Sequence, residues 1–444
     1  MNKIIASLLL CLSWANSAQT QDLGLYFMDG IWQKSLVVPS HDLEGKHWSI
    51  GITGGSLYLY NRGPGITDIG TINDGVLLLS PSKALQYVSP RNDIAADYTY
   101  ETFHISYKYK ENLIFSLNHS SHNTMELRYP GDLMRLMAYG NGAYLNEELQ
   151  LGVGVNYSSY GELGFGAIYK MGGVDLGARI GFLFGRLNFQ TRHSDLSLYT
   201  AEDYYQLRFK GNYEMNTSGF PGVDGITSFN TGQLFRSIFP AGFSNPGVSL
   251  SIGATYHPSE VLSLQLSVKD WGFIHWGKLP RTYRVEGEWE YSGIDIFNVG
   301  GQLDTSSLKN LSPDDIQGWV DTLSQLLNLD GPDKSSYNTA LPTKIALSGS
   351  YRLTDKFTVG ALYRYVNGVL TSDHQMAIDA TYNFWGFWRV GAMYSLYHGK
   401  QNIGLHSNFN LGPVQIYLAT DKVFSIGRSN KHYRQVRGGI NIAF

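Results

Sequence analysis

Four consecutive residues, His119-Ser120-Ser121-His122, form the densest group of side chains in the sequence that could carry chemistry. Two imidazoles can share a metal ion, and a serine beside a histidine can act as a nucleophile beside its base. The stretch has strand periodicity, and the odd spacing places His119 and His122 on opposite faces. We therefore expect no shared metal. A hydrolase also needs a third group that orients the base, and the sequence identifies none.

Glycine pairs at 152–154 and 164–166 could suggest a phosphate loop. Such a loop is followed by a helix whose N-terminus holds the phosphate, and neither pair precedes a helical pattern. We interpret these glycines as small residues on the inner face of a strand. The sequence thus predicts no cofactor and no metal, and an enzyme is the weakest functional hypothesis.

Charged residues fall on one face of successive predicted strands. They are Asp175, Arg179, Arg352, Arg364, Asp379, Arg389 and Arg437. Buried charges need partners, and two interpretations stay open. The charges form a paired network that fills an interior, or they line a polar path or binding site for a solute.

The strands that carry these charges are predicted from alternation of apolar and polar residues. The pattern runs through 174–184, 248–256, 376–384 and 388–396, and its apolar face carries no charge. Strict alternation indicates strands with two different faces. A further strand is predicted from Leu149, Leu151, Val153, Val155 and Tyr157. The residues predicted to face lipid are Val153, Ile180, Ile252, Ile378 and Val390.

The length of these segments favours a membrane barrel over a soluble sandwich. They run for nine to twelve residues, close to the roughly 9–11 of a tilted spanning strand, and aromatic residues such as Tyr256 and Trp388 gather at their ends. No segment after the first eighteen residues has the length of a spanning helix. A membrane protein without helices must close its sheet. We therefore expect an all-β fold, a closed antiparallel transmembrane β-barrel of roughly 14 strands, within a range of about 12–18.

Residues 1–18 have the organisation of a secretory signal. Lys3 gives the positive start, 4–12 the apolar core, and small residues up to Ala18 a cleavage site. Cys11, the only cysteine, would leave with the signal. We expect 19–444 to form one barrel domain, with 19–96 as an N-terminal segment that packs in or at the lumen.

Composition agrees with an exported β protein. Charged residues make up 16% of the chain, against roughly 25% in soluble domains, and aromatic residues make up 14%. The net charge of −3 gives no field that would attract nucleic acid. We expect no nucleic-acid partner.

Turns divide into short and long ones. Tight connections are predicted at 353–356 and 410–413, and long loops at 216–246 and 293–342. This contrast is typical of outer-membrane barrels. Within the second loop, Ser312 and Pro313 predict the start of a helix that reaches residue 329. Further helices are predicted at 131–139 and 74–88.

Counting strands back from the C-terminus predicts the side on which the loop 293–342 lies. Seven strands are predicted between residue 343 and Phe444. Both termini of such barrels normally lie in the periplasm, so the loop is expected outside. Its helix would then cap the outer mouth, with Trp319, Leu323 and Leu326 packed against the entrance or rim.

The last nine residues carry the most specific local pattern. Val436, Ile440, Ile442 and Phe444 share one face of an alternating final strand. A terminal aromatic residue on such a strand resembles the signal that barrel-assembly machinery reads. We therefore expect this machinery as a partner.

Three short motifs resemble those of uncharacterised Bacteroidetes-type outer-membrane barrels with FadL-like transporter architecture. The first is Leu25-Tyr26-Phe27-Met28 with Gln33, where Val38-Pro39-Ser40 replaces the Asn-Pro-Ala of the group. The others are 269–276 and 341–345. The resemblance implies a barrel in the bacterial outer membrane and, as in FadL-like transporters, an N-terminal segment that plugs the lumen.

Three functional hypotheses follow. The first is a channel or transporter for a hydrophobic or amphipathic small molecule, by analogy of fold. The second is a non-transporting partner barrel of a secretion or gliding apparatus, and the third is an enzyme in barrel form. Outer-membrane lipid is an expected partner in each case.

Overall fold

Fourteen long strands form the wall of the protein. The computed structural model describes residues 22–43, 45–64, 68, 70–73, 76–79, 81–203, 206–219, 244–291, 332–368, 372–397, 400–425 and 432–444. In chain order the barrel strands are β1 (Trp48–Asn61), β2 (Arg91–Lys110), β3 (Leu113–Pro130), β4 (Gly154–Met171), β5 (Val174–Thr200), β6 (Pro246–Ser259), β7 (Leu262–Trp276), β8 (Thr343–Thr354), β9 (Phe357–Asn367), β10 (Ser372–Phe384), β11 (Trp388–Tyr397), β12 (Lys400–Leu411), β13 (Val414–Ser425) and β14 (His432–Ala443).

Each barrel strand pairs antiparallel with its neighbours in sequence, and the first pairs with the last. The closing register of β1 and β14 runs from Ser49 opposite Ala443 to Asn61 opposite His432. A closed sheet has no free edge, so its backbone groups are satisfied without water. The prediction of a closed antiparallel barrel of roughly 14 strands is confirmed.

One end of the barrel holds the chain terminus and the short turns. The carbonyl of Phe444 accepts hydrogen bonds from the backbone N–H groups of His47 and Trp48, at 2.9 and 2.8 Å. The tight turns predicted at 353–356 and 410–413 lie at this end, between β8 and β9 and between β12 and β13.

Strands β8 to β14 are the seven strands counted from the sequence. The loop that precedes β8 therefore starts and ends at the barrel end opposite Phe444. The predicted helix at 313–329 lies outside the described residues.

Apolar side chains cover the outside of the barrel. Ile180, Ile252 and Ile378 are 47%, 48% and 59% exposed, although each lies in the middle of a long strand. Their sequence neighbours Arg179, Ser251 and Asp379 are buried inside. Apolar residues outside and polar residues inside are the arrangement of a barrel in lipid. Val390 is partly exposed on β11.

The predicted strand through 149–157 is interrupted, because Leu149 lies in the short strand Glu148–Gln150 and residues 151–153 lie outside any strand. Leu149 and Leu151 are buried, and they pack with Leu198 and with Leu133 and Leu136 of a helix. Val153 lies outside any strand. Apolar alternation predicts burial of one face, but it does not distinguish lipid from a packed helix as the cover. The wall strand starts only at Gly154.

The helix that covers these leucines is Gly131–Tyr139, which confirms the prediction at 131–139. The prediction of a helix over 74–88 is wrong for its first residues. Val76–Leu79 forms a strand paired with Gly70–Asn73, and among the described residues of 74–88 the helix covers Pro81–Ala84. The apolar run 76–79 satisfies either pattern when read alone.

A small sheet extends the wall beyond the barrel, at the end opposite Phe444. β5 continues to Thr200, where it pairs with Leu207–Ser218, which in turn pairs with Arg281–Tyr291. Glu148–Gln150 pairs with the end of β5, and Tyr337–Ala340 pairs with the end of β7. This extension is not among the elements predicted from the sequence.

The N-terminal segment divides into two parts. Residues 22–43 fold into the barrel with two short 3-10 turns, Gly24–Phe27 and Trp32–Leu36, whereas Trp48–Asn61 is a wall strand. A bulge between Gly51 and Thr53 interrupts the alternation of that strand. The bulge adds one residue, so the inward and outward positions are exchanged in the residues that follow it. We call residues 22–43 the plug.

Among the described residues, no helix has the length and apolar character needed to cross a membrane.

The plugged lumen as candidate functional site

The plug buries its apolar side chains against the inner wall. Leu23, Leu25 and Ile31 are at most 1% exposed. They belong to one cluster with wall residues that include Leu362 and Met393. A fully buried aliphatic side chain contributes about 1.5–3 kcal/mol. Several such residues therefore give the plug a strong preference for the lumen.

The tip of the plug is held by two wall side chains. Arg389 donates to the carbonyl of Asp29 through Nη1, and Gln415 Nε2 donates to the carbonyl of Gly30 at 2.9 Å. Gly30 has a φ of +96°, and a Cβ there would lie 2.5 Å from Arg389 Nη1. Only glycine fits this turn without strain.

A buried ionic cluster joins the plug to the closing strands. Arg437 on β14 donates to Asp22 of the plug at 2.6 Å and to Glu101 on β2. Gln33 exchanges two hydrogen bonds with Asn441, at 2.9 and 2.8 Å. The side chains of Asp22, Glu101 and Arg437 are at most 8% exposed. The two carboxylates therefore depend on the guanidinium, and the guanidinium on the carboxylates, for charge neutralisation.

The first residues of the plug bind a wall carboxylate that sequence analysis did not select. Asp421 on β13 accepts hydrogen bonds from the backbone N–H groups of Leu23 and Gly24, both at 3.1 Å. Strand alternation could have identified Asp421. Gln415, Tyr417 and Asp421 lie an even number of positions apart on β13, so all three lie on its inner face.

The last residues of the plug meet a second ionic group. Asp42 lies 2.8 Å from the ammonium of Lys170 and 3.1 Å from that of Lys108. Burial would raise the pKa of Asp42, but these two ammonium groups hold it below its usual value. Burial, reinforced by the nearby Lys34, lowers the pKa of His41 to about 4. The plug is thus held by an ionised Asp42 beside a neutral His41 near pH 7.

Two of the cavities along the plug touch different parts of it. The upper cavity lies toward the barrel end opposite Phe444 and has a volume of about 70 Å³. It is bordered by Asp22 and Leu36 of the plug. The lower cavity, of about 390 Å³, is bordered by Phe27, Asp29, Gly30 and residues 40–42 of the plug and by the turn at Asp355 and Lys356. The plug therefore separates two spaces of one lumen.

The structure places all seven predicted charges inside the barrel, but in different surroundings. Arg179 and Arg437 line the upper cavity. The lower cavity is lined by Asp175, Arg352, Asp379 and Arg389. Arg364 donates to Gln375 at 2.7 Å and lies 5.9 Å from the ring of Tyr26.

The acids among them have partners on other wall strands. Asp379 contacts His406 at 2.8 Å, and Asp175 contacts His257 at 3.3 Å. Several of the seven charges therefore bind groups of the wall or of the plug, and several also border open space.

The histidine-serine group does not form a catalytic arrangement. Ser120 Oγ and Glu162 Oε2 approach the same ring nitrogen of His122, Nε2, at 2.9 and 3.1 Å. A catalytic base instead presents one nitrogen to the nucleophile and the other to the acid. His119 has separate partners, Thr102 at 2.7 Å and the ring of Phe103. Within the described ranges, no three His, Cys, Asp or Glu side chains converge as for a metal.

The C-terminal residues lie on the outer face of β14. Val436, Ile440 and Phe444 are 45%, 36% and 55% exposed, and Ile442 is partly exposed. Between them, Arg437 and Asn441 point into the lumen toward the plug. One strand thus presents an apolar face to lipid and holds the plug with the other.

Fold and site together define a transmembrane β-barrel of the outer-membrane type whose lumen is closed by its own N-terminal segment. The chain belongs to the family described as "Family of unknown function (DUF5723)", which matches residues 43–421. No curated protein sequence matches it.

Solved structures with similar chain tracing include two toluene transporters. The Ralstonia pickettii protein TbuX has 8% identity and a TM-score of 0.43, with 97% of this chain and 95% of that chain covered. The Pseudomonas putida protein TodX has 8% identity, the same coverage and a TM-score of 0.42. A Pseudomonas aeruginosa FadL homologue has 10% identity and a TM-score of 0.42, covering 90% and 91%.

Proposed function

We propose that this protein is a gated outer-membrane transporter for a small amphipathic molecule, exported by means of a cleaved signal at 1–18. The observation that carries the proposal is the plug. It separates an upper from a lower cavity and is held by hydrogen bonds, ion pairs and apolar packing. Such a contact set opens without breaking a covalent bond, so the plug has the properties of a gate.

The walls of the upper cavity support an amphipathic solute. Tyr160 and Leu341 line it and belong to an apolar cluster with Trp276. Lys269 and Lys344 line the same cavity. A solute with an apolar body and a polar end would satisfy both surfaces.

A second candidate function is a partner barrel of a surface apparatus. It is favoured by the sheet that extends the wall through Leu207–Ser218 and Arg281–Tyr291, because such a projection offers a surface for another protein. This alternative requires no movement of the plug.

A disulfide between plug and wall tests the gate. Ser40 Oγ of the plug lies 2.7 Å from Thr255 Oγ1 on β6, and the chain after Cys11 has no cysteine. We expect the oxidised double variant Ser40→Cys, Thr255→Cys to abolish uptake of small amphipathic solutes by proteoliposomes, and reduction to restore it. Swelling or fluorescence of the proteoliposomes measures the uptake.

Each single cysteine variant serves as a control and should transport as the unmodified barrel does under both conditions. Equal uptake by the oxidised and reduced double variant, with the disulfide verified by mass, would refute a gating plug. Absence of uptake by the unmodified barrel would favour the partner hypothesis.

We also propose that Phe444 is part of the signal for barrel-assembly machinery. Deletion of Phe444 should lower the amount of barrel in the outer membrane while the purified protein keeps its thermal stability, because one exposed ring buries little area. Quantitative blotting of membrane fractions, with Phe387→Ala as the matched aromatic control, measures this. Unchanged membrane levels would count against it.

A further inference from the structure

The sheet that extends beyond the barrel ends in one strand, Arg281–Tyr291, which we call the edge strand. On one side it pairs through its full length with Leu207–Ser218. On the other side, the described residues contribute one backbone pairing, in which Thr282 and Asp333 exchange hydrogen bonds of 2.7 and 3.1 Å. An open sheet edge presents N–H and C=O groups that can pair with a further strand.

The pairing of Thr282 shows which backbone groups face the open side. In an antiparallel pair, residues alternate between hydrogen-bonded and non-hydrogen-bonded positions. Because Thr282 bonds outward to Asp333, the backbone groups of residues 284, 286, 288 and 290 point outward as well. The register with Leu207–Ser218 has no shift, so this alternation continues to the end of the edge strand.

The side chains at these same positions make the edge acidic. Arg284 and Glu288 each have an ion pair with the neighbouring strand, at 2.7 and 3.3 Å. Glu286 and Glu290 are exposed and have no ion pair within the described part of the chain. Alternation places them on one face, four positions apart. A basic partner would therefore meet two carboxylates without an ion pair.

The opposite face of the edge strand is apolar and has a gap at one glycine. Tyr283 and Val285 are buried, whereas Gly287 is exposed. Gly287 has a φ of +147°, and a Cβ there would lie 3.3 Å from the ring of Trp289, which is itself partly exposed. An apolar side chain of a further strand, placed opposite Gly287, would pack against this ring.

We propose that the edge strand binds an extended, basic segment of another protein as one more strand of the sheet. Two lysine or arginine side chains pair with Glu286 and Glu290, and an apolar side chain between them packs on Trp289. Main-chain hydrogen bonds supply affinity, and the alternate side chains supply selectivity. A second copy of this chain fits the edge less well, because pairing of two identical edges brings their acidic residues together. The inference goes beyond transport and does not depend on movement of the plug.

Labelled heptapeptides test the predicted pattern. Antiparallel pairing gives Lys-Val-Thr-Leu-Lys-Val-Thr, with its lysines opposite Glu290 and Glu286 and its leucine opposite Gly287. One control peptide has glutamate in place of both lysines, and another has the same composition with its lysines three positions apart. We expect the first peptide to bind the full-length barrel about tenfold more tightly than either control. Fluorescence anisotropy in nanodiscs of zwitterionic lipid measures binding, and empty nanodiscs give the background.

Methylation of backbone nitrogens tests whether the peptide binds as a strand. In this register the third and fifth residues of the peptide donate to the edge strand, so N-methylation there should weaken binding about tenfold or more. The second and fourth residues point their N–H groups away from the edge. Methylation of those two should change the affinity less than about threefold.

Charge exchange in the barrel locates the site. The double variant Glu286→Lys, Glu290→Lys should bind the lysine peptide about tenfold more weakly and should now prefer the glutamate peptide. Asp195→Asn is the matched control, because Asp195 is exposed on the same face two strands away, with Asn212 between it and Glu286. It should leave both affinities unchanged. Heat-modified migration on gels verifies that both variants fold.

Several results would overturn the proposal. They are no binding of the lysine peptide, equal binding of the lysine and glutamate peptides, and equal effects of the two methylation patterns. A dimer of barrels in light scattering that the double variant dissociates would assign the edge to a second copy of the chain and also overturn it. Uptake by proteoliposomes tests the gate and peptide binding tests the edge, so either proposal can fail without the other.

Discussion

Arg437→Ala should release the plug from the lumen. The substitution leaves Asp22 and Glu101 as buried carboxylates without their shared guanidinium. Breaking a buried ion pair from one side costs about 3–5 kcal/mol. Trypsin should then cleave after Lys34, which is 1% exposed in the plugged barrel. Limited proteolysis of the folded barrel, followed by mass determination, measures the release.

Arg352→Ala is the matched control. Arg352 also projects from a wall strand into the lumen, where it borders the lower cavity, but it has no ion pair among the described residues. Its loss should leave Lys34 protected. Equal protection of Lys34 in both variants would show that the ionic cluster does not hold the plug.

Ile180→Arg should destabilise the barrel by about 2–4 kcal/mol, the cost of a cation on the lipid face near the middle of a bilayer. Ile180 is 47% exposed at the centre of the wall portion of β5. Urea titration of refolding in liposomes measures the free energy of unfolding.

Ile180→Leu keeps the apolar surface and should change the stability by less than about 1.5 kcal/mol. Arg179→Ala, at the inward neighbouring position, gives the comparison across the wall. If Ile180→Arg and Arg179→Ala both had small and equal effects on folding, the facing of β5 would be wrong.

The barrel could be predicted because each wall strand faces two environments, and these select the residue types at alternating positions of the strand itself. Lipid outside and polar lumen inside force every wall strand to alternate, as Arg179 and Ile180 illustrate. Closure follows from the need to satisfy backbone groups in lipid. Neither inference requires knowledge of which strand lies beside which.

The contacts of the plug could not be predicted in this way. Gln33 and Asn441 are 408 positions apart, and no local pattern links them. Asp42 and Asp421 look like ordinary acidic residues in the sequence, and only the fold brings two lysines to one and two backbone N–H groups to the other. The ambiguity at Leu149 has the same origin, because its partner Leu198 lies on a distant strand segment.

The binding of the plug to β13 and β14 determines when it can fold. Leu23, Gly24 and Asp22 depend on Asp421 and Arg437, which a ribosome synthesises about 400 residues later. Contacts of such large sequence separation form slowly, since a long loop must close first. The residues synthesised earliest in the described chain are therefore among the last to reach their native place. Until the barrel closes, Leu25 and Ile31 remain available to chaperones and proteases, so a cell could distinguish finished from unfinished copies by the accessibility of this one segment.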